Sequence, residues 1–508
     1  MSREEYIIDS HENSDFMYNV IERIINEIGP RSPCSKEERE ASDLVAKILK
    51  EQCDSVDIEE FTAYPRAFTG WSKLAVSLLF LSFLLFMLTP LNPPFSELIV
   101  SAICIVILLF ILFIIYKQFL CYEEWTPKIF PYKQGMSQNV VSFIKPSENV
   151  KKRVIFSGHI DSAFRFNINQ YTKEGYVYFT FFGIISLFGF LIIYIIHLIY
   201  TLLQVDFIIL IFILIWIVIL IPIFLTFFII VLGKSKKILY GGLTKISSIG
   251  YITILSSTIY ALLIDIILFN YVFYEPTLLK VSQLLFLITI PSAIALFFLT
   301  SKKATPGAVD NLTAVAVCLC ISKILSEWKQ KYPHLCPKNT EVIILISGSE
   351  EIGTRGAEAF AKKHALDYNK IDTTCVNLES LTESRYQKIF TRENTTRVNL
   401  SFEVYNLLAK CCEELGIEYQ LIEMPSVSGG TDAAGLVRYG LKAASLEGII
   451  WKDYLSYYHT DRDNLSMINR ERRDCNDIGS SWNKRNIRCA MENALKICLK
   501  YLELKDKE

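Results

Sequence analysis

An α/β fold is predicted: a mixed, largely parallel sheet covered by helices, with a six-span α-helical membrane region inserted as a two-helix hairpin and a four-helix block. Three observations predict it. Strand-like runs alternate with helical ones on both sides of long apolar stretches, the pattern of a helix-covered sheet. Six uncharged stretches occur, at residues 74–91, 98–116, 175–204, 207–233, 246–264 and 281–301, each near the roughly 20 apolar residues that a bilayer core requires. Two polar motifs flank the four-helix block, Gly158-His159-Ile160-Asp161 after a strand and Gly307-Ala308-Val309-Asp310-Asn311 before a helix. If His159 and Asp310 meet in one site, the chain leaves a half-built domain, crosses the bilayer and returns to finish it.

The elements follow in order. Residues 15–49 are predicted as two helices joined by Ile28-Gly29-Pro30-Arg31-Ser32. Ser35 and Glu38 form a capping box ahead of Ala41, Leu44, Val45 and Ile48. Pro90, Pro93 and Pro94 turn the membrane hairpin, and strands at 139–144 and 153–156 lead to His159. Beyond the four-helix block, a helix is predicted at 310–325 and a strand at 342–346, whose unbroken apolar run suits burial on both faces. A helix at 356–364, a strand at 374–378, a helix at 404–415, a strand at 443–446 and an amphipathic helix at 489–504 complete the chain. Residues 1–70, 118–174 and 302–508 thus form one discontinuous domain, interrupted by the hairpin at 71–117 and the four-span insertion at 175–301.

The 508 residues are 51% hydrophobic with a formal net charge of -1, a balance that argues against nucleic acid as a partner. The turns after the first, third and fifth spans carry one basic residue, Lys280. The opposite side carries Arg66, Lys117, Lys128, Arg165, Lys173, Lys234, Lys236, Lys237, Lys245, Lys302 and Lys303. The positive-inside rule makes that side, with all the sequence outside the spans, cytoplasmic. Thirteen cysteines without a CxxC pair fit a reducing compartment, and the first 70 residues hold no signal peptide. Asp265 is read as a charge near the far interface, and the sequons at Asn311, Asn394, Asn399 and Asn464 as chance.

Four polar motifs stand at strand ends or helix starts: His159-Ile160-Asp161, Asp310-Asn311, Glu350-Glu351 and His459-Thr460. Glu379 supplies a fifth position. Taken singly they are weak, since a lone HxD is usually a surface turn and an EE pair a solvated face. Glu350-Glu351, however, ends a buried apolar run, where adjacent carboxylates are costly without cations. The chain has only six histidines, and two fall in these motifs. Two imidazoles with several carboxylates make an N/O set suited to Zn²⁺, with Mn²⁺ or Co²⁺ as other occupants.

The ordered set resembles the zinc aminopeptidase family that includes bacterial leucyl aminopeptidase, glutamate carboxypeptidase and glutaminyl cyclase (metallopeptidase family twenty-eight). The resemblance covers Gly29-Pro30-Arg31 and its helix, the Asn139 strand, the four motifs, Gly429-Gly430-Thr431-Asp432, and Asp463 after His459-Thr460. It implies a zinc-exopeptidase-like fold and two divalent metal ions, Zn²⁺, bridged by Asp310. His159 and Glu379 would complete one site, and Glu351 and His459 the other. Glu350 would be the general base, Asp161 would orient His159, and Tyr457 or Tyr458 could donate to the oxyanion.

The implied function is a polytopic membrane metallopeptidase acting on short peptides, aminopeptidase-like. A glutaminyl cyclase-like acyltransferase and a non-catalytic membrane scaffold are the alternatives. Three departures stand out: Glu379 where many members have Asp, Ala433 after the aspartate of the Gly-Gly-Thr-Asp run, which makes Asp432 structural, and the insertion itself.

Overall fold

The computed structural model describes residues 11–87, 94–127, 132–172, 175–203, 277–385, 387–425, 428–467 and 487–508. The chain divides into two compact units, one of Met1–Leu74, Phe113–Phe179 and Ala295–Glu508, the other of Ala75–Leu112 and Thr180–Ile294.

The first unit is built on strands β1 (Ser55–Ala63), β2 (Gly135–Ile144), β3 (Lys152–His159), β4 (Phe164–Phe166), β5 (Thr300–Ala304), β6 (Thr340–Ser347), β7 (Asp372–Leu381), β8 (Gln387–Glu393), β9 (Val398–Asn399), β10 (Tyr419–Met424) and β11 (Lys442–Gly448). The main sheet runs β1-β2-β6-β3-β7-β11-β8-β10, with β9 on β8. Pairing is parallel through β6-β3-β7-β11 and antiparallel at β1-β2, β2-β6 and β11-β8. Every residue of β6 is buried, as its unbroken apolar run predicts for a strand covered on both faces. The helix Leu312–Lys331 packs over this sheet with both ends of its apolar stretch buried, from Leu312 to Trp328.

The helix Lys36–Gln52 starts as predicted, with Ser35 Oγ accepting from the Glu38 N–H. Glu38 does not close the capping box on Ser35; its Oε2 accepts from the Cys34 N–H at 2.7 Å. Strand β1 was not expected, because its Asp57, Glu59 and Glu60 hide the alternation and it sits at the sheet edge. Eleven described cysteines form no disulfide, but Cys489 is disulfide-bonded, which departs from the reading of an unpaired set.

The stretches on either side of residues 175–297 are tied together. β4 pairs antiparallel with β5, Phe164 opposite Ala304 and Phe166 opposite Thr300. The sixth apolar stretch, read as helical to 301, therefore ends as a helix at Phe297. Beneath the ribbon lies Arg31, 0% exposed. Its guanidinium donates to the carbonyls of Ile160 at 2.8 Å, Gly29 at 2.8 Å, Pro306 at 2.9 Å and Gly307 at 3.0 Å. Ser162 Oγ accepts from the Arg31 N–H and donates to the Thr305 carbonyl. Gly307 has φ +60°, and a Cβ there would come within 2.6 Å of Ser162 Cβ, so the clamp needs glycine at that point.

Arg31→Met should unfold the protein at markedly lower temperature. It strands several buried carbonyls, each unmet group costing about 1–3 kcal/mol. Thermal unfolding in detergent checks this, and an unchanged midpoint would show that the clamp is dispensable.

Among the described residues, three helices are long and apolar enough to cross a membrane, Ala67–Met87, Glu97–Leu120 and Tyr178–Ile199, with a shorter apolar helix at Val281–Phe297; most of each lies in the second unit. Phe83 and Phe286 stack with ring centroids 3.7 Å apart, and Ser101 Oγ meets His197 Nδ1 at 2.7 Å. Leu84, Val106 and Leu287 face outward, 58%, 64% and 63% exposed. A surface of that kind is costly in water and neutral in lipid. The stretches expected at 207–233 and 246–264, and Asp265, lie outside the described residues.

Candidate metal centre

Parallel strands deliver their C-terminal ends to one edge of a sheet, where open α/β folds gather ligands. His159 is the last residue of β3 and pairs in register with Ser347 of β6. The β6 chain then turns through Ser349 into Glu350-Glu351. Glu379 stands near the end of β7, level with Glu447 of β11. Asp310 precedes the helix Leu312–Lys331, and His459 follows the short helix Trp451–Tyr454.

These five side chains converge. His159 Nε2 lies 3.3 Å from Asp310 Oδ1 and 3.6 Å from Glu379 Oε2. His459 Nε2 lies 3.0 Å from Glu351 Oε2 and 3.8 Å from Asp310 Oδ2. Three groups have ligand atoms within 4.8 Å of one another: His159-Asp310-Glu379, Asp310-Glu351-His459 and His159-Glu350-Glu351. Asp310 offers one oxygen to each of the two groups it belongs to. Glu350 Oε2 stands 3.8 Å from His159 Nε2.

A surrounding shell of hydrogen bonds fixes these groups. Asp161 accepts the N–H of Glu350 at 3.0 Å on one oxygen and of Glu351 at 3.1 Å on the other. Its Oδ1 is also 3.4 Å from His159 Nδ1. Asp161 thus holds both the imidazole and the acidic turn, a wider task than orienting His159 alone. Glu38 Oε1 accepts from Ser349 N–H at 2.6 Å and Ser349 Oγ at 2.9 Å, anchoring the residue just before Glu350. Glu379 receives the amides of Asn377 at 3.0 Å and Asn311 at 2.8 Å. Asn311 is 0% exposed, so its sequon is not available as a folded-state acceptor. Asp463 accepts from the Val309 and Asp310 N–H groups at 2.7 and 3.2 Å, and burial pushes its pKa up to about 7. Ser349, Ser380 and His459 all lie in the left-handed region, at φ 53°, 42° and 52°. Backbone strain of this kind needs a supporting structure and gathers at functional sites.

The electrostatics favour a cation. Burial pushes the carboxyls of Glu350 and Glu379 well above their usual range and Glu351 upward, with neighbouring carboxylates adding to it. Burial alone would lower His159, but Asp161 and Asp310 more than offset that and raise it well above its usual value. Glu351 Oε1 is buried without a hydrogen-bond partner, an acceptor that a cation would satisfy. Nitrogen and oxygen donors in such groups of three fit divalent ions of the zinc type.

The two tyrosines before His459 part company. Tyr457 is 1% exposed and packs in the hydrophobic core. Tyr458 stacks on the His459 ring, centroids 3.7 Å apart. Tyr454, not singled out in the sequence, donates to Asp310 Oδ2 at 2.9 Å; its place one helical turn before Tyr458 was the available signal. Asp432 is buried and accepts from Ser347 Oγ. Phe166, Tyr176 and Tyr458 form an aromatic wall beside His459.

Residues 299–477 match the model of peptidase family M28. The matched stretch holds Asp310, Glu350, Glu351, Glu379 and His459 but not His159, which precedes the insertion. No curated protein matches the chain. Similar solved structures include the LapA aminopeptidase of Legionella pneumophila, 10% identical over 97% of this chain and 72% of that one, TM-score 0.44. Others are the zinc aminopeptidase BSAP of Bacillus subtilis (10%, 97% and 95%, 0.44) and the glutaminyl cyclase of Porphyromonas gingivalis (9%, 97% and 98%, 0.44).

Proposed function

We propose that the chain is a multi-pass membrane metallopeptidase that hydrolyses short peptides in an aminopeptidase-like manner. The observation that carries the reading is the pair of His-carboxylate groups sharing Asp310. His159, Asp310 and Glu379 would hold one ion, and Asp310, Glu351 and His459 the other. Two divalent cations, Zn²⁺ by donor type, supply a bound water of lowered pKa and polarise the scissile carbonyl. Glu350, with Oε2 3.8 Å from His159 Nε2 and held by its N–H to Asp161, takes the water's proton and passes it to the leaving amine. Tyr458 donates to the developing oxyanion. Two groups, not one, favour hydrolysis over glutaminyl cyclisation.

The lysine and arginine asymmetry supports six spans with the catalytic unit on the cytoplasmic face; the Cys489 disulfide is the observation that speaks for the other face. The decisive experiment combines elemental analysis of purified protein with a cleavage screen on peptides blocked at either end. It should find two ions per chain and cleavage that fails when the amino end is blocked. Protein without bound metal and without cleavage would overturn the reading. Cys336 and Cys411 are buried, 7% and 0% exposed, so sidedness is better read from Lys36→Cys, whose side chain is 81% exposed. Labelling of that cysteine by an impermeant reagent in intact cells would place the site outside the cytoplasm.

A further inference from the structure

Tyr122 lies two residues beyond the apolar helix Glu97–Leu120, remote in sequence from every motif of the site. Its backbone is left-handed, φ 54°, a conformation that surrounding structure must impose on a non-glycine residue. The Glu123 N–H donates to the Lys117 carbonyl at 3.0 Å, and Gln118 Nε2 donates to the Trp125 carbonyl at 2.6 Å. The ring is 4% exposed, packed on Phe68 with centroids 5.2 Å apart and beside the Arg438 guanidinium, 5.4 Å from the centroid.

A buried phenol usually finds a hydrogen-bond partner. The Tyr122 hydroxyl has none among the described residues. It faces the Gly429-Gly430 turn, where a Cβ on Gly429 would lie 3.6 Å from the Tyr122 hydroxyl and 3.8 Å from that of Tyr458. Two phenol groups therefore look onto one space that a glycine leaves open. Burial, and then the Glu350 and Glu393 carboxylates, push the Tyr122 pKa well up, so the hydroxyl keeps its proton and can donate.

We infer that Tyr122 is a substrate-binding residue that donates a hydrogen bond to a peptide carbonyl on the leaving-group side of the scissile bond. This rests on the peptidase reading above. Tyr458, stacked on His459, stands where the reacting carbonyl would lie. Glu350 hands its proton to the leaving nitrogen, and the Tyr122 hydroxyl opens onto the same space at Gly429 as that of Tyr458. The chain beyond that nitrogen would pass the Tyr122 hydroxyl. The helix Glu97–Leu120 would then contribute a side chain to substrate recognition through the residues that directly follow it.

The test compares the full-length wild type with Tyr122→Phe on two substrates sharing one acyl residue, a tripeptide and an aminoacyl arylamide whose leaving group has no peptide carbonyl. The tripeptide should lose about 3–10-fold more kcat/KM than the arylamide, the worth of one neutral hydrogen bond, and the loss should fall on KM. The melting temperature should not move, because the hydroxyl has no partner in the folded protein. Equal effects on both substrates, or a lowered melting temperature, would overturn the assignment while leaving the peptidase reading intact. A wild type that cleaves neither substrate would instead sink that reading, and this assignment with it.

Discussion

Glu350→Gln is expected to retain its metal and lose peptide turnover by about 10²–10⁴-fold, the usual worth of a positioned acid–base group. Glutamine has the shape of glutamate, and the N–H that Asp161 holds belongs to the backbone, so the turn should survive the change. Glu350 stands outside the two groups that share Asp310 and belongs to the group with His159 and Glu351. What the amide loses is the capacity to take a proton. Burial, offset in part by His159, pushes the carboxyl well up from its usual range; two bound cations would pull it back toward the ionised form that a base requires. Elemental analysis beside a kinetic assay separates the two effects. Near-normal turnover would remove Glu350 from the role. Loss of both metal and turnover would make it a ligand, as Glu351→Gln should behave given Glu351's 3.0 Å approach to His459.

Much of this site could be read from the chain because its side chains ride on strongly patterned elements. Residues 342–346 are apolar without a break, so Glu350-Glu351 had to end a buried strand, and His159 follows a similar run. The approach of His159 and Asp310 across the insertion was an inference from chemistry alone. Arg31 and the β4–β5 ribbon explain how the two ends are joined, yet neither was foreseen: a three-residue strand has no periodicity to detect, and Arg31 acts through backbone carbonyls that no side-chain pattern reveals. Edge strands β1 and β10 escaped for a related reason, since charges on their solvent side mask the alternation. Tyr122 could not be found at all from local sequence. It is carried by a connection whose neighbours are unremarkable, and only the fold brings it to Gly429.

Asp310→Asn is expected to cost the protein its response to zinc altogether. Asp310 is the one residue common to both groups, its Oδ1 3.3 Å from His159 and its Oδ2 3.8 Å from His459, with Tyr454 donating to it at 2.9 Å. Burial would raise its pKa, but the two imidazoles outweigh that and hold it below the usual carboxylate range, so it is the carboxylate best prepared to bridge. Asparagine keeps the volume but loses the charge and one acceptor oxygen. For the wild type, a cation at a hundred times its Kd should stabilise the fold by about 2.7 kcal/mol, through binding to the folded form alone. That stabilisation should also grow with pH. Before metal binds, burial and carboxylate neighbours keep protons on Glu351 and Glu379 above the usual carboxylate range. Against burial, Asp161 and Asp310 keep one on His159 above 6.5. Metal binds only the deprotonated ligands and must displace those protons. Affinity therefore rises from the carboxylate range upward and is still rising above pH 6.5. Melting curves with and without Zn²⁺ at several pH values measure both effects. A zinc-induced shift that survives in Asp310→Asn, or one that shrinks as pH rises, would show that the ions are not held by a shared carboxylate at this place.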